Sequence, residues 1–199
     1  MIDSAFQFFR AGGWVMYPLL AMSVLSLTLI FERTIFWIFS AQRRGQHQLG
    51  VYINLLDTKQ YTQVSKVAKD DHTLEGDFVS QGIRSENRDE TLLIGHIESM
   101  RPKIERFIPM IGAIIAAAPL LGILGTVTGI IRSFDLLGDA SAVSDPAVVA
   151  GGIAEALYTT AFGLTIALVT LFPHVYFKAC ADRALGRLET LAGILSSSD

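Results

Sequence analysis

The chain has a single cysteine, Cys180, in 199 residues. One thiol excludes an intramolecular disulfide framework and any multi-cysteine metal site. Charge is scarce too: Asp, Glu, Lys and Arg make up 18% of the residues, against about 25% in an ordinary soluble domain. Neither sign dominates, because the formal net charge is −3 and the pI about 5.8. Nucleic acid finds no basic footprint here and is not an expected partner. The histidines, His47, His72, His96 and His174, are scattered without metal-ligand spacing, so neither metal site nor cofactor is expected. Gly122-Ile-Leu-Gly125-Thr126 is no phosphate loop, since no Lys-Ser/Thr follows it, and no Gly-x-Ser-x-Gly elbow occurs. Cys180, between Lys178 and Arg183, reads as a surface thiol. No catalytic residue is expected, and the chain does not read as an enzyme.

Apolar sequence is what the chain has in quantity: 51% of residues are hydrophobic and the mean hydropathy is +0.43. It is concentrated. No charge occurs over the 21 residues between Arg10 and Glu32, the 25 between Arg106 and Arg132, or the 22 between Glu155 and Lys178. About 20 helical residues cross a hydrocarbon core of roughly 30 Å. The first run is too long for a signal-peptide core, and its apolar character continues past Glu32-Arg33 through Phe39; it reads as a retained span. The chain is therefore expected to be an all-α membrane protein with three spans, at 14–37, 107–131 and 150–173.

Basic residues stay on the cytoplasmic side of a membrane. Arg43 and Arg44 follow the first span, Arg101, Lys103 and Arg106 precede the second, and Lys178, Arg183 and Arg187 follow the third. The other side has Arg10 and Arg132 among Asp3, Asp135, Asp139 and Asp145. This assigns 1–13 and 132–149 to the outside, and 38–106 and a carboxyl-terminal helix at 174–199 to the cytoplasm, with long helices extending there from the spans. The insert reads as helical, with a break near Asp57-Thr58 and a turn or helix start at Asp70-Asp71. From Leu93 the apolar residues Ile97, Met100, Ile104, Phe107 and Ile111 recur at alternating steps of four and three, the spacing of a helical seam. The spacing predicts one long helix running into the second span, kinked by Pro102. The seam fits an internal bundle and a contact between subunits equally well.

Within the spans, small residues recur at helical steps: Gly122, Gly125 and Gly129 in the second, Gly152 and Gly163 in the third. Such faces let helix backbones approach closely in lipid. Glu155 is the one carboxylate inside either span. A charge near the bilayer centre costs about 3 kcal/mol on insertion scales and usually faces a bundle interior or a wet cavity. Thr159 follows one turn on and Thr160 lies beside it. Hydroxyls both donate and accept, so the set suits an ion path; snorkelling of Glu155 to the outer interface is the bland alternative. Thr159 also has a bland role, bonding the carbonyl of Glu155.

Two runs resemble a known family: Ala118-Pro119 through Gly122, Gly125-Thr126 and Gly129 to Ser133-Phe134, then Gly152-Ile-Ala-Glu155 through Thr160 to Gly163. They are similar to the ExbB/TolQ/MotA proton-channel family, and to its ExbB/TolQ branch most of all. Tyr17-Pro18 through Glu32-Arg33 resembles that branch's first helix. The resemblance implies a homopentameric ring in the bacterial inner membrane, its amino end periplasmic and its carboxyl end cytoplasmic. The second and third helices line a pore that holds two copies of a single-span ExbD/TolR-like partner, whose aspartate carries the ion. Ion flow then drives work on a TonB-like, Tol-like or other envelope client. Thr126, Glu155 and Thr160 match the family's functional positions. Nothing matches the partner's aspartate, so the chain alone is expected to conduct poorly. Arg132 stands where the family often has Asn. The ion is read as H+, with Na+ as the alternative because Thr159 adds an oxygen. Membrane lipid is the remaining partner. A small proton-coupled permease, for which internal repeats are missing, and a non-conducting scaffold are the readings from other classes.

Overall fold

The computed structural model describes residues 13–40, 45–58, 60–71, 73–84, 89–138 and 146–197, with the side chains of 39–40, 45–48, 136–138, 146–148 and 155 left aside. Most of the external segments expected at 1–13 and 132–149 lies outside the described residues. Every described element is helical: α1 Met16–Ser40, α2 Gly45–Asp57, α3 Tyr61–Asp70, α4 Leu74–Arg84, α5 Glu90–Ile104, α6 Ile108–Gly138 and α7 Pro146–Ser197. Three of them hold stretches long and apolar enough to cross a membrane: Met16–Ile38, Ile108–Asp135 and Val149–Ser197. The last outruns the span read at 150–173, because α7 continues as helix through Pro173.

Exposure suits lipid as solvent. On α1, Leu20, Val24, Leu27, Phe31, Ile35 and Ile38 are all exposed, at steps of three and four that draw one stripe along the helix. In water such a stripe would be a large apolar patch; in hydrocarbon it carries no penalty.

The described residues fall into two compact units, one within Met1–Ile30 and Pro109–His174, the other within Phe31–Ile108 and Val175–Asp199. The second is an ordinary helical core. Tyr52, Leu56, Val64, Phe78, Val79, Leu93, Ile97, Leu188, Leu191 and Leu195 are each at most 2% exposed. Leu93, Ile97, Met100 and Ile104 are thus buried within a single chain, which assigns that stretch of the seam to internal packing. Where α4 meets this core it comes close: a Cβ on Gly82 would lie 3.2 Å from Leu195 and 3.3 Å from Leu93.

Two polar arrangements hold this unit. The hydroxyl of Tyr52 donates to Asp71 Oδ2 at 2.8 Å; burial first, then this bond, pushes the Tyr52 hydroxyl well above its ordinary range, so it stays a donor at physiological pH. Arg187 of α7 donates through Nε to Glu75 Oε1 at 2.6 Å, and Glu75 is 1% exposed with Oε2 lacking any partner among the described residues. Removing one member of a buried ion pair costs about 3–5 kcal/mol, whereas removing both is often neutral. Arg187→Met should therefore lower the urea midpoint of the detergent-solubilised protein markedly, and Glu75→Leu with Arg187→Met should recover most of the loss. Buried Trp37 supplies the fluorescence signal. A single variant as stable as the parent would mean that the pair is solvated.

The single helix expected from Leu93 into the second span is broken. Pro102 is accommodated inside α5, and the chain turns three residues later. Glu105 caps α5, its amide donating to Arg101 O at 2.9 Å, and Phe107 has φ 65°, a left-handed conformation costing an L side chain about 1–2 kcal/mol. Arg33 of α1 braces the turn. It is 1% exposed, and its Nη1 lies 3.4 Å from the carbonyl of Lys103 and 3.3 Å from that of Ile104. These are helix-end carbonyls that lack intrahelical donors. Nε and Nη2 pair with Glu32 at 2.6 and 2.9 Å, and the guanidinium carbon lies 4.4 Å from the Phe36 ring centre and 5.7 Å from that of Phe107. A sequence period registers helix rotation and carries no information about a brace contributed by a residue 70 positions away.

Candidate ion-path site

In the first unit α6 and α7 meet along small residues. A Cβ on Gly122 would lie 2.9 Å from Thr159 O and from the Cα of Thr160. One on Gly129 would lie 2.7 Å from the Ala156 Cβ, and one on Gly163 2.5 Å from Ala118 O. At Gly125 the space is filled by the Thr159 side chain, and at Gly152 by the Ser133 hydroxyl. Real Cβ atoms need more than 3 Å, so at Gly122, Gly125, Gly129 and Gly163 only glycine leaves room, while at Gly152 the Ser133 hydroxyl would have to turn away.

This close approach brings hydroxyls of one helix to the backbone of the other. Three threonines converge on one carbonyl, Gly122 O: Thr126 Oγ1 at 3.1 Å, Thr159 Oγ1 at 3.2 Å and Thr160 Oγ1 at 3.0 Å. A carbonyl oxygen has two lone pairs, and in an α-helix the amide four residues on takes one of them. The three hydroxyls therefore compete for what is left. Thr159 has an alternative, the carbonyl of Ala156 at 2.7 Å. The other two have each other: the Thr126 and Thr160 hydroxyls are hydrogen-bonded across the interface, and either can be the donor.

Two proton orders satisfy this geometry. In one, Thr126 donates to Thr160 while Thr160 donates to Gly122 O; in the other, Thr160 donates to Thr126 while Thr126 donates to Gly122 O. Each is the reverse of the other. In both orders the two protons are spent inside the cluster, so the pair offers lone pairs to a neighbouring group and offers a donor only when the bond to Gly122 O is released. Thr126 and Thr160 are half-buried, so a further group can reach them, whereas Thr159 is 1% exposed. The family model described as the MotA/TolQ/ExbB proton channel family matches residues 70–190. The chain belongs to that family.

It stands on the ExbB/TolQ branch. The putative biopolymer transport protein ExbB-like 3 of Synechocystis sp. is 31% identical over 188 residues, covering 92% of this chain and 89% of the relative. The ExbB-like 1 protein of the same organism is 34% identical over 170 residues, 82% of this chain and 66% of the relative. The Tol-Pal system protein TolQ of Pseudomonas aeruginosa is 30% identical over 200 residues, 89% of this chain and 83% of the relative.

For this ExbB/TolQ-type chain the structure brings Thr126, Thr159 and Thr160 to one atom. Glu155 lies in α7 by its backbone, and its side chain is outside the described residues. Thr159 bonds Ala156 O, one residue on from the carbonyl of the bland alternative, and reaches across to Gly122 O. Thr128 turns back on its own helix, to Leu124 O at 2.9 Å and Gly125 O at 3.1 Å. Arg132 is exposed. Sequence reasoning missed the Gly122 carbonyl, because a backbone acceptor leaves no mark on residue type. It also missed Ser133, 3% exposed, whose hydroxyl donates to Gly129 O at 3.0 Å. A signal existed: in Gly122/Thr126 and in Gly129/Ser133 a hydroxyl follows a glycine by four, the reach of a bond back to the preceding turn.

Proposed function

We propose that this chain is the ring-forming stator subunit of a proton-driven motor in the bacterial inner membrane, its amino end periplasmic and its carboxyl end cytoplasmic. Five copies surround two single-span partners of the ExbD/TolR type, and a partner carboxylate exchanges protons at the level of Thr126 and Thr160. Proton flow moves the partner relative to the ring and does work on a TonB-like, Tol-like or other envelope client. The observation that carries this reading is the half-buried Thr126–Thr160 couple across the α6–α7 interface. Its lone pairs accept from a protonated partner carboxyl, and rotation of one hydroxyl away from Gly122 O, which keeps its helical amide donor, supplies a donor to the charged form.

A sodium-driven version would use the same oxygens as ligands, and the three hydroxyls together with Gly122 O favour it in number. Their condition favours protons. Thr159 is buried and already has a short bond to Ala156 O, leaving too few free oxygens to replace the hydration shell of a sodium ion.

Energised work by the complex with its co-purified partner tests this. Replacing sodium by potassium at fixed pH should leave it unchanged, while a protonophore should abolish it. Glu155→Gln should assemble normally and lose most of the work. Work that needs sodium and survives the protonophore would transfer the reading to sodium, and full work in Glu155→Gln would remove that residue from the path.

A further inference from the structure

The buried face of α7 in the first unit runs Ala156, Thr159, Gly163, Ile166, Thr170, at steps of three, four, three and four. His174 lies four residues past Thr170, one further turn along the same helix. Apolar and hydroxyl side chains precede it, so an imidazole there is a change of chemistry. Its ring lies against Gly112 of α6: a Cβ on that glycine would sit 3.2 Å from His174 Nε2, so the missing side chain is the space the ring occupies. His174 is half-buried, and its ring has no hydrogen-bond partner among the described residues. Thr170, one turn before it and 1% exposed, spends its hydroxyl on Ile166 O at 2.7 Å. A polar ring held against backbone without a protein partner keeps its free energy low only by bonding water.

Charge is sparse along the two helices: Lys178 follows His174 by one turn, and Glu105 and Arg106 precede Gly112 by seven and six residues. Opposite His174, α6 has no charged residue from Ile108 to Ile131; its first are Arg132 and Asp135. On α7 no charge lies between Glu155 and Lys178, and the titratable side chains of that stretch besides His174 are Tyr158 and Tyr176. Histidine is the side-chain type whose ordinary titration falls near neutral pH. The Thr126–Thr160 couple is far away: Thr160 precedes His174 by 14 residues, about 21 Å of helix rise. No direct transfer spans that distance, so His174 can serve only at the end of a water-filled path.

We propose that His174 is the proton-exchanging group at the cytoplasmic mouth of the path. A neutral ring nitrogen takes the excess proton carried by the last water of the path, leaving that water neutral and giving an imidazolium, which then releases it to bulk water or buffer. Only N–H and O–H bonds change, and the ring returns to its starting state. This rests on the proton reading and the orientation proposed above.

The test uses the full chain with its co-purified partner in liposomes carrying an internal pH dye, with an imposed proton gradient. His174→Gln should lower proton flux several-fold at low buffer strength. Millimolar imidazole or raised buffer on the side carrying the carboxyl end should restore it, since a mobile acceptor replaces the fixed one. Gly112→Ala, which crowds the ring from the other helix without touching its chemistry, should give a smaller fall that the same buffer relieves. Thr126→Val supplies the distinction between readings. If it abolishes flux while His174→Gln leaves it unchanged, the histidine assignment falls and the motor stands. If neither variant changes flux, the proton path itself is wrong. A loss in His174→Gln that buffer does not restore, or restores only from the opposite side, also overturns the assignment.

Discussion

Thr126→Val and Thr160→Val should each reduce energised work about tenfold, and the double variant should be no worse than either alone. Valine keeps the β-branched shape and its single helical rotamer, so the α6–α7 interface retains its packing and only a hydroxyl is lost. A neutral hydrogen bond contributes about 0.5–1.5 kcal/mol, and about 1.4 kcal/mol is tenfold in rate. The two threonines are partners in one bond, so removing the second finds nothing left to break, and the cycle shows a coupling close to the full single loss. The readout is client work at equal amounts of assembled complex. Losses that multiply would mean that the two hydroxyls act on different steps. Undiminished work in both single variants would leave the cluster a packing feature.

The second large effect is expected at Gly125. Gly125→Leu should abolish the assembled complex on size exclusion, because the Thr159 side chain already fills the space its Cβ would need. Ordinary overpacking costs about 1–3 kcal/mol; here a whole leucine meets the buried Thr159 side chain as far in as its Cβ, and the helices must part. Gly151→Leu is the matched control, on the same pair of helices with nothing within 4 Å of its Cβ position. Gly125→Ala should be milder, and Thr159→Gly should partly rescue it by vacating the same volume. Normal assembly of Gly125→Leu would mean that α6 and α7 do not pack as described.

Three charge-free runs were enough to read an all-α membrane chain, since the hydrocarbon thickness translates directly into residue count. The family was legible in Gly122 through Ser133 and Gly152 through Gly163, where glycine spacing and hydroxyls follow a shared pattern. What the sequence could not show were contacts whose partner is backbone. Thr126, Thr159 and Thr160 could be named, but their common acceptor is the carbonyl of Gly122. Likewise Pro102 announced a disturbance, yet the chain turns at Phe107, because what fixes the place is the guanidinium of Arg33 on distant carbonyls. His174 shows the opposite limit. Its residue type was visible, while its setting against Gly112 depends on how two helices meet.

The Arg33 brace also bears on the order in which the chain is made. Its carbonyl partners, Lys103 and Ile104, lie 70 and 71 residues downstream. At roughly 5–20 residues per second the ribosome needs about 4–14 s to supply them. Through that interval the first helix must settle with an arginine in its carboxyl-terminal third and no cap to donate to. Glu32 is synthesised immediately before Arg33 and holds it bidentately, so the nascent helix presents a neutral couple to the translocon from the outset. A glutamate that looks redundant in the finished protein is thereby an escort for its neighbour during insertion, and its replacement would register as lost yield before any loss of work in the molecules that survive.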